Sequence, residues 1–263
     1  VGDPATRAAA DLVIAWRLVN RHFFVYRRDW LVFLTGFLEP ILYLLSIGIG
    51  VGAMIKGFDV GGRRIGYAEF VAPAMLATAA TTGAIFDSTF NLFFRMKYAK
   101  LYDAVLATPM TVTDVAIGET MWALIRGGIY SAGFLAIMAA MGLASSGWAV
   151  LALPATLLIG FAFAGVGMWV TTHFTSWQDF EYVTLALVPM MLFSGTFFPV
   201  ETLAGPLRWV IEATPLYRGV VLCRELCTGL LTPASAVSVL YLLVLGIVGM
   251  MGARHRLGTL LLR

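Results

Sequence analysis

Few side chains in this sequence could do chemistry, and the ones that could are embedded in apolar runs. Glu39, Asp87 and Arg126 each interrupt a stretch built otherwise of Leu, Phe, Ala, Ile, Gly and Thr. An ionised group near the middle of a bilayer costs about 2.5–3.5 kcal/mol on insertion scales, so these three are expected to face protein or water rather than lipid. No G-x-x-x-x-G-K-S/T phosphate loop occurs, so nucleotide hydrolysis by that route is excluded. Neither H-E-x-x-H nor G-x-S-x-G is present, and no carboxylate pair is placed for acid–base work. His22, His173 and His255 fall at separate edges of apolar runs and do not make a zinc set. Cys223 and Cys227 stand one helical turn apart without further ligands nearby, and read as small apolar residues of a helix. No metal and no cofactor is therefore expected in this chain, and no catalytic residue.

The elements that must hold these groups follow from composition. Of 263 residues, 60% are hydrophobic and 13% charged, with a mean hydropathy of +0.86. A water-soluble domain cannot hide that much apolar surface. The apolar runs do not alternate as barrel strands would, so the expected fold class is an all-α membrane protein. Since about 20 helical residues cross the roughly 30 Å apolar core, six spans are expected: 30–54, 70–94, 120–141, 148–170, 180–198 and 234–251. The first apolar run begins at Trp30 and is longer than the about 7–15 residues of a signal-peptide core, so it is expected to stay in the membrane.

Ahead of it, Asp3-Pro4 fits a helix start. Leu12, Trp16, Val19, Phe23, Tyr26 and Trp30 then fall on one helical face and Arg7, Arg17, Arg21 and Arg28 near the other. This pattern predicts an amphipathic helix lying on the membrane surface. Nucleic-acid binding is not expected, because the basic residues form no patch in a soluble domain. Between 199 and 233 the chain is too apolar for a wet loop and too rich in Pro and charge for a span. Two short helices fit there, about 206–213 and 215–227, with Thr214-Pro215 as cap and first residue and Gly229 as stop. They are expected to be re-entrant, dipping into the outer leaflet.

The stretch Lys97 to Glu119, KYAKLYDAVLATPMTVTDVAIGE, is the long polar interruption on the positive side. Leu101 to Leu106 predicts a short helix stopped before Pro109, and Thr111 with Asp114 fits a capping box that starts the next helix. With the N-terminus inside, 11 of the 18 Lys and Arg lie inside and six outside. That bias places both termini in the cytoplasm. Asp87, seven residues before Phe94, and Arg126, six after Thr120, then reach about the same depth. Either they pair, or Arg126 snorkels to the interface.

The six spans, the amphipathic entry helix, LYDAVLATPMTVTDVAIGE, and LFSGTFFPVETLAGPLRWVIEATPLYRGV before the last span together resemble the type-2 ABC exporter permeases. Within them the likeness is to the nodulation-factor exporter and daunorubicin-resistance permease branch. It covers nearly the whole chain, and LFSGTFFPVE followed by T-P-L-Y is specific to that group. The resemblance implies an elbow helix within 1–29, a transmembrane domain over 30–256 and a cytoplasmic tail at 257–263. It implies a multi-pass protein of the bacterial plasma membrane, paired with a second permease subunit, the same or related, and in contact with membrane lipid. Two cytosolic ATPase subunits would bind the ATP and Mg. A coupling helix would fall on Lys97, Tyr98, Lys100, Leu101, Tyr102 and Asp103, docking in a groove on the ATPase. A substrate path lined by spans one, two and five would use Glu39, Tyr43, Asp87, Phe90, Met190 and Phe193. For Met190 and Phe193, plain packing between helices is the competing role.

The function expected on this reading is an export permease for an amphipathic cargo, such as a glycolipid, a lipid-linked glycoconjugate or a hydrophobic drug. An ion-coupled secondary transporter is the first rival, but the last three spans do not repeat the first three. A lipid-modifying membrane enzyme is the second, and it lacks a reactive constellation.

Overall fold

The computed structural model describes residues 16–23, 38, 41–52, 54, 55, 57–60, 62–203 and 205–261. Residues 16–23 and 41–45 are helical, and Ser46–Val51 continues as a π-turn. A hairpin of β1 (Phe58–Val60) and β2 (Arg63–Ile65) follows, with Phe58 opposite Ile65 and Val60 opposite Arg63. In the turn between the strands Gly62 takes φ +79° and donates its N–H to the Asp59 carboxylate. The hairpin sits on the start of α1 (Tyr67–Phe86) through Phe58, whose ring lies 4.9 Å from that of Phe70.

Helix α1 runs on through π-turns at Asp87–Asn91 and Phe94–Tyr98, so that Tyr67–Tyr98 forms one helical stretch of 32 residues. The chain then turns sharply at Lys100, which adopts a left-handed conformation with φ 45°. An L-residue pays a steric penalty there, of roughly 1–2 kcal/mol. The turn sets off the short α2 (Leu101–Leu106). Next comes α3 (Val112–Ala140), started by a complete capping box: Thr111 accepts from the Asp114 N–H while the Asp114 carboxylate accepts from the Thr111 N–H. A 3₁₀ turn at Gly147–Leu151 leads into α4 (Ala152–Thr171).

Among the described residues, four helical stretches are long and apolar enough to cross a bilayer: Tyr67–Tyr98, Val112–Ala140, Gly147–Thr171 and Pro233–Leu260. They correspond to the second, third, fourth and sixth expected spans, with longer ends. Eleven of the 25 residues of the first expected span, Glu39 included, lie outside the described residues. The fifth expected span is shorter than 180–198. Helix α5 covers Phe180–Leu192 only, or about 20 Å. Its end has a chemical cause. Pro189 sits within its last turn, the Ser194 hydroxyl caps the Met191 carbonyl, and Gly195 takes φ +70°. Residues 193–199 are therefore non-helical.

The two short helices form as α6 (Pro206–Glu212) and α7 (Pro215–Thr228). Thr214 accepts from the Tyr217 N–H at the start of α7, and Gly229 closes it at φ +78°. Helix α8 (Pro233–Leu261) runs into the expected tail.

The most extensive packing joins α4 and α8. Gly165, Gly246 and Gly249 let the two backbones meet. A Cβ on Gly249 would lie 2.5 Å from the Val166 nitrogen, and one on Gly165 would lie 2.8 Å from the Gly246 oxygen. Small residues serve this purpose in membrane helices, where burial gives no hydrophobic advantage and close van der Waals contact must do the work. The core shared by α1, α4, α7 and α8 includes Ala77, Ile159, Leu216, Val220 and Leu242.

Candidate functional site

The end of the molecule that carries α2, here called the handle end, differs from the hairpin end in holding the buried ion pairs between Arg and carboxylate side chains. There α1 and its continuation run antiparallel to α3. Arg126 Nη2 stands 2.7 Å from Asp87 Oδ1, and both side chains are buried. Asn91, one turn along from Asp87, donates to the same carboxylate at 2.6 Å. Eight residues beyond Asp87 comes Arg95, and seven before Arg126 comes Glu119; these two form a second ion pair. The two rungs are reciprocal: each helix contributes one acid and one base, two turns apart on one face. The repeat is what an antiparallel pair in fixed register demands.

Glu119 gathers further partners. The Tyr102 hydroxyl donates to its Oε1 at 2.9 Å, and His22 Nε2 approaches the same oxygen at 3.1 Å. The His22 ring also packs 5.5 Å from Trp122, one turn along α3. Tyr102 is 1% exposed. Burial, and next the adjacent Glu119 charge, pushes its phenol well above the ordinary value, so it remains a proton donor.

Helix α2 rests on an apolar seat. Tyr102 packs with Leu92, Val112, Val115, Ala116, Met168, Ala253 and Leu257, and Leu101, Val105 and Leu106 are half-buried against them. Lys97, Tyr98, Lys100 and Asp103 are exposed. The residues expected along a coupling surface thus divide. Four are exposed, Tyr98 with its ring stacked on Phe94, while Leu101 is half-buried and Tyr102 points inward and is occupied by Glu119. Its inward direction follows from its large apolar ring, which finds the seat, and from the carboxylate beneath it.

The residues expected along a substrate path are not brought together as one lining. Glu39 falls outside the described residues. Tyr43 is exposed. Asp87 is buried in its ion pair, a different position from one on an open path. Phe90 is stacked 4.2 Å from Phe180 in an aromatic cluster with Phe86 and Trp177. Met190 packs against the central core, and Phe193 is exposed just beyond α5. A slot between α1, α3 and α4, lined by Ala80, Ala84, Ala123, Gly127, Thr156 and Gly160, has about 10 Å³, room for one water and not for a cargo. Among the described residues no three His, Cys, Asp or Glu converge to hold a metal ion.

Residues 15–226 match the ABC-2 type transporter family. The chain belongs to that family. Three curated relatives illustrate the likeness. Nodulation protein J of Rhizobium leguminosarum bv. trifolii is 33% identical over 233 residues, covering 87% of this chain and 86% of the relative. Nodulation protein J of Rhizobium meliloti is 31% identical, covering 82% and 81%. Nodulation protein J of Bradyrhizobium diazoefficiens is 30% identical, covering 82% and 80%. This ABC-2 chain is thus a multi-pass membrane subunit of a transporter. Its handle end, with α2 set off by the Lys100 turn and tied down by Glu119, is the part whose geometry most needs a functional explanation. The sequence reading passes over Arg95, meets Glu119 only as the end of the polar stretch and takes His22 only as an isolated histidine. Arg95 and Glu119 carried a signal nonetheless, in the same residue count that aligns Asp87 with Arg126.

Proposed function

We propose that this chain is the permease subunit of an ATP-driven exporter in a bacterial plasma membrane. It pairs with a second permease subunit, the same or related, and is powered by separate cytosolic ATPase subunits that bind ATP and Mg. The observation that carries this reading is α2, a six-residue helix outside the four long apolar stretches, which presents Asp103 to solvent beside the exposed Lys97, Tyr98 and Lys100 that lead into it. Those four, with the edge of Leu101, are the surface offered to the ATPase. Closure of the ATPase dimer on ATP would displace α2 and tilt the helices it rests on.

Residues 1–29 are the elbow, 30–256 the transmembrane domain and 257–263 the tail, with both termini cytoplasmic. The six-span topology is completed by the first apolar run and by α5 together with the non-helical residues 193–198 that follow it. In it α6 and α7 are re-entrant helices of the outer leaflet. The likeness to nodulation proteins, the aromatic side chains of α5 and the small volume of the slot inside one chain all favour an amphipathic cargo, lipid-linked or lipid-like, passing between two permease subunits.

The test is copurification. A tagged chain, solubilised with its partners, is expected to bring down an ATP-hydrolysing subunit. Tyr98→Ala with Asp103→Ala should lower its recovery about tenfold, the loss expected on removing contacts worth about 1.4 kcal/mol. Insertion of the chain in the membrane should stay normal. Unchanged recovery together with unchanged export would contradict this use of α2.

A further inference from the structure

Among the described residues, Glu119 is a side chain on which three separate segments converge. Its Oε1 receives Tyr102 from α2 and His22 from the 16–23 helix, and its Oε2 receives Arg95 from the end of the first long helical stretch. The carboxylate is 5% exposed. Each contact is directional, whereas the apolar seat beneath α2 is not. Burial of Leu101, Val105 and Leu106 holds α2 down but leaves it able to slide or rotate, because apolar contact has no preferred direction. Hydrogen bonds to a buried carboxylate fix orientation, because they weaken steeply when misaligned.

The 16–23 helix is anchored in the same way. Its Leu18, Val19 and His22 face the protein, while Trp16, Arg17, Asn20, Arg21 and Phe23 face outward. This arrangement differs from the simple division of an aromatic face and a basic face expected from sequence. Both kinds of residue line the outward side, and the protein-facing side carries the histidine that reaches Glu119.

From this geometry we infer that Glu119 is a positioning residue that makes α2 and the 16–23 helix move as one unit, so that a displacement of α2 is passed to the N-terminal helix through Tyr102, Glu119 and His22. The inference rests on the exporter reading above and adds to it the path of the motion. Arg95 holds the carboxylate in place while its two other partners transmit. Tyr102 supplies both the ring that is buried and the hydroxyl that reports direction, so the two roles can be separated by removing the hydroxyl alone.

The experiment uses the permease with its copurified ATPase in lipid nanodiscs, with Cys223 and Cys227 replaced by Ser. Spin labels at Arg21→Cys on the 16–23 helix and Arg254→Cys on α8 report how far the N-terminal helix moves when ATP and Mg are added. Both sites are exposed. In the otherwise unmodified complex ATP should shift this distance. Tyr102→Phe should leave ATPase recovery and ATP hydrolysis in place and shrink the shift to less than half. His22→Ala should do the same, and His22→Gln, which restores a donor near the Nε2 position, should recover most of the shift. A shift of the same size in Tyr102→Phe, His22→Ala and the unmodified complex overturns the inference while leaving the exporter reading standing. No ATP response in an unmodified complex that holds its ATPase contradicts the exporter reading, and the inference falls with it.

Discussion

Two helix crossings in this molecule solve one problem by opposite means. Where α4 meets α8, side chains are absent: Gly165, Gly246 and Gly249 bring backbone to backbone. Where α1 and its continuation meet α3 at the handle end, the contact is made by long charged side chains, Asp87 with Arg126 and Arg95 with Glu119. A backbone contact at 2.5–2.8 Å from where a Cβ would stand admits one geometry. An ion pair on long side chains tolerates a change of angle, because rotamers can follow. The glycine crossing is accordingly the fixed frame, and the charged crossing, together with α2 seated beside it, is where movement can be accommodated.

The comparison can be broken at either crossing. The largest effect is expected at the charged one. Asp87→Ala leaves Arg126 buried without its carboxylate and should destabilise the fold by about 3–5 kcal/mol, read as a fall in the detergent unfolding midpoint. The double change Asp87→Arg with Arg126→Asp should recover a good part of that loss. A double variant no better than either single one would remove the pair from the account. Gly249→Ala comes next. Its Cβ would press on the Val166 nitrogen, which cannot swing aside as a side chain would, so a loss of about 2–3 kcal/mol is expected. If Gly249→Ala unfolds at the unmodified midpoint, the frame is looser than described. Smaller still is Thr111→Ala, which removes the cap of α3 and should cost about 1 kcal/mol. Its value is in sharpening the contrast: it should loosen the start of α3 near α2 without altering the α4–α8 crossing, a difference hydrogen exchange can resolve.

How much of this could be read in the chain itself depends on the element. The long helices announce themselves by length and apolarity, and the caps at Thr111, Thr214 and Gly229 by residue type. Counting turns from the two helix ends brought Asp87 level with Arg126. The same count, carried two turns further, brings Arg95 level with Glu119. That step was hidden because Glu119 had been assigned to the end of a polar segment, whereas α3 already begins at Val112. The hairpin was also legible: Gly61-Gly62 between Val60 and Arg63 is the composition that two-residue hairpin turns demand. Its strands of three residues were too short to show alternation. The end of α5 was harder. Pro189 is tolerated in membrane helices, and only the added Ser194 cap and the left-handed Gly195 stop this one. The inward turn of Tyr102 could not be read at all, since it depends on a seat made by residues as distant as Met168 and Leu257.

The central claim is that α2 faces the cytosol, where an ATPase could push on it. Labelling a single cysteine tests it most directly. In a chain with Cys223 and Cys227 replaced by Ser, Asp103→Cys should resist a membrane-impermeant maleimide in intact cells and react once the plasma membrane is opened. Arg64→Cys on the hairpin, at the other end of the molecule, should react in both states. Labelling of Asp103→Cys in intact cells as readily as Arg64→Cys would place α2 outside the cell and contradict the account.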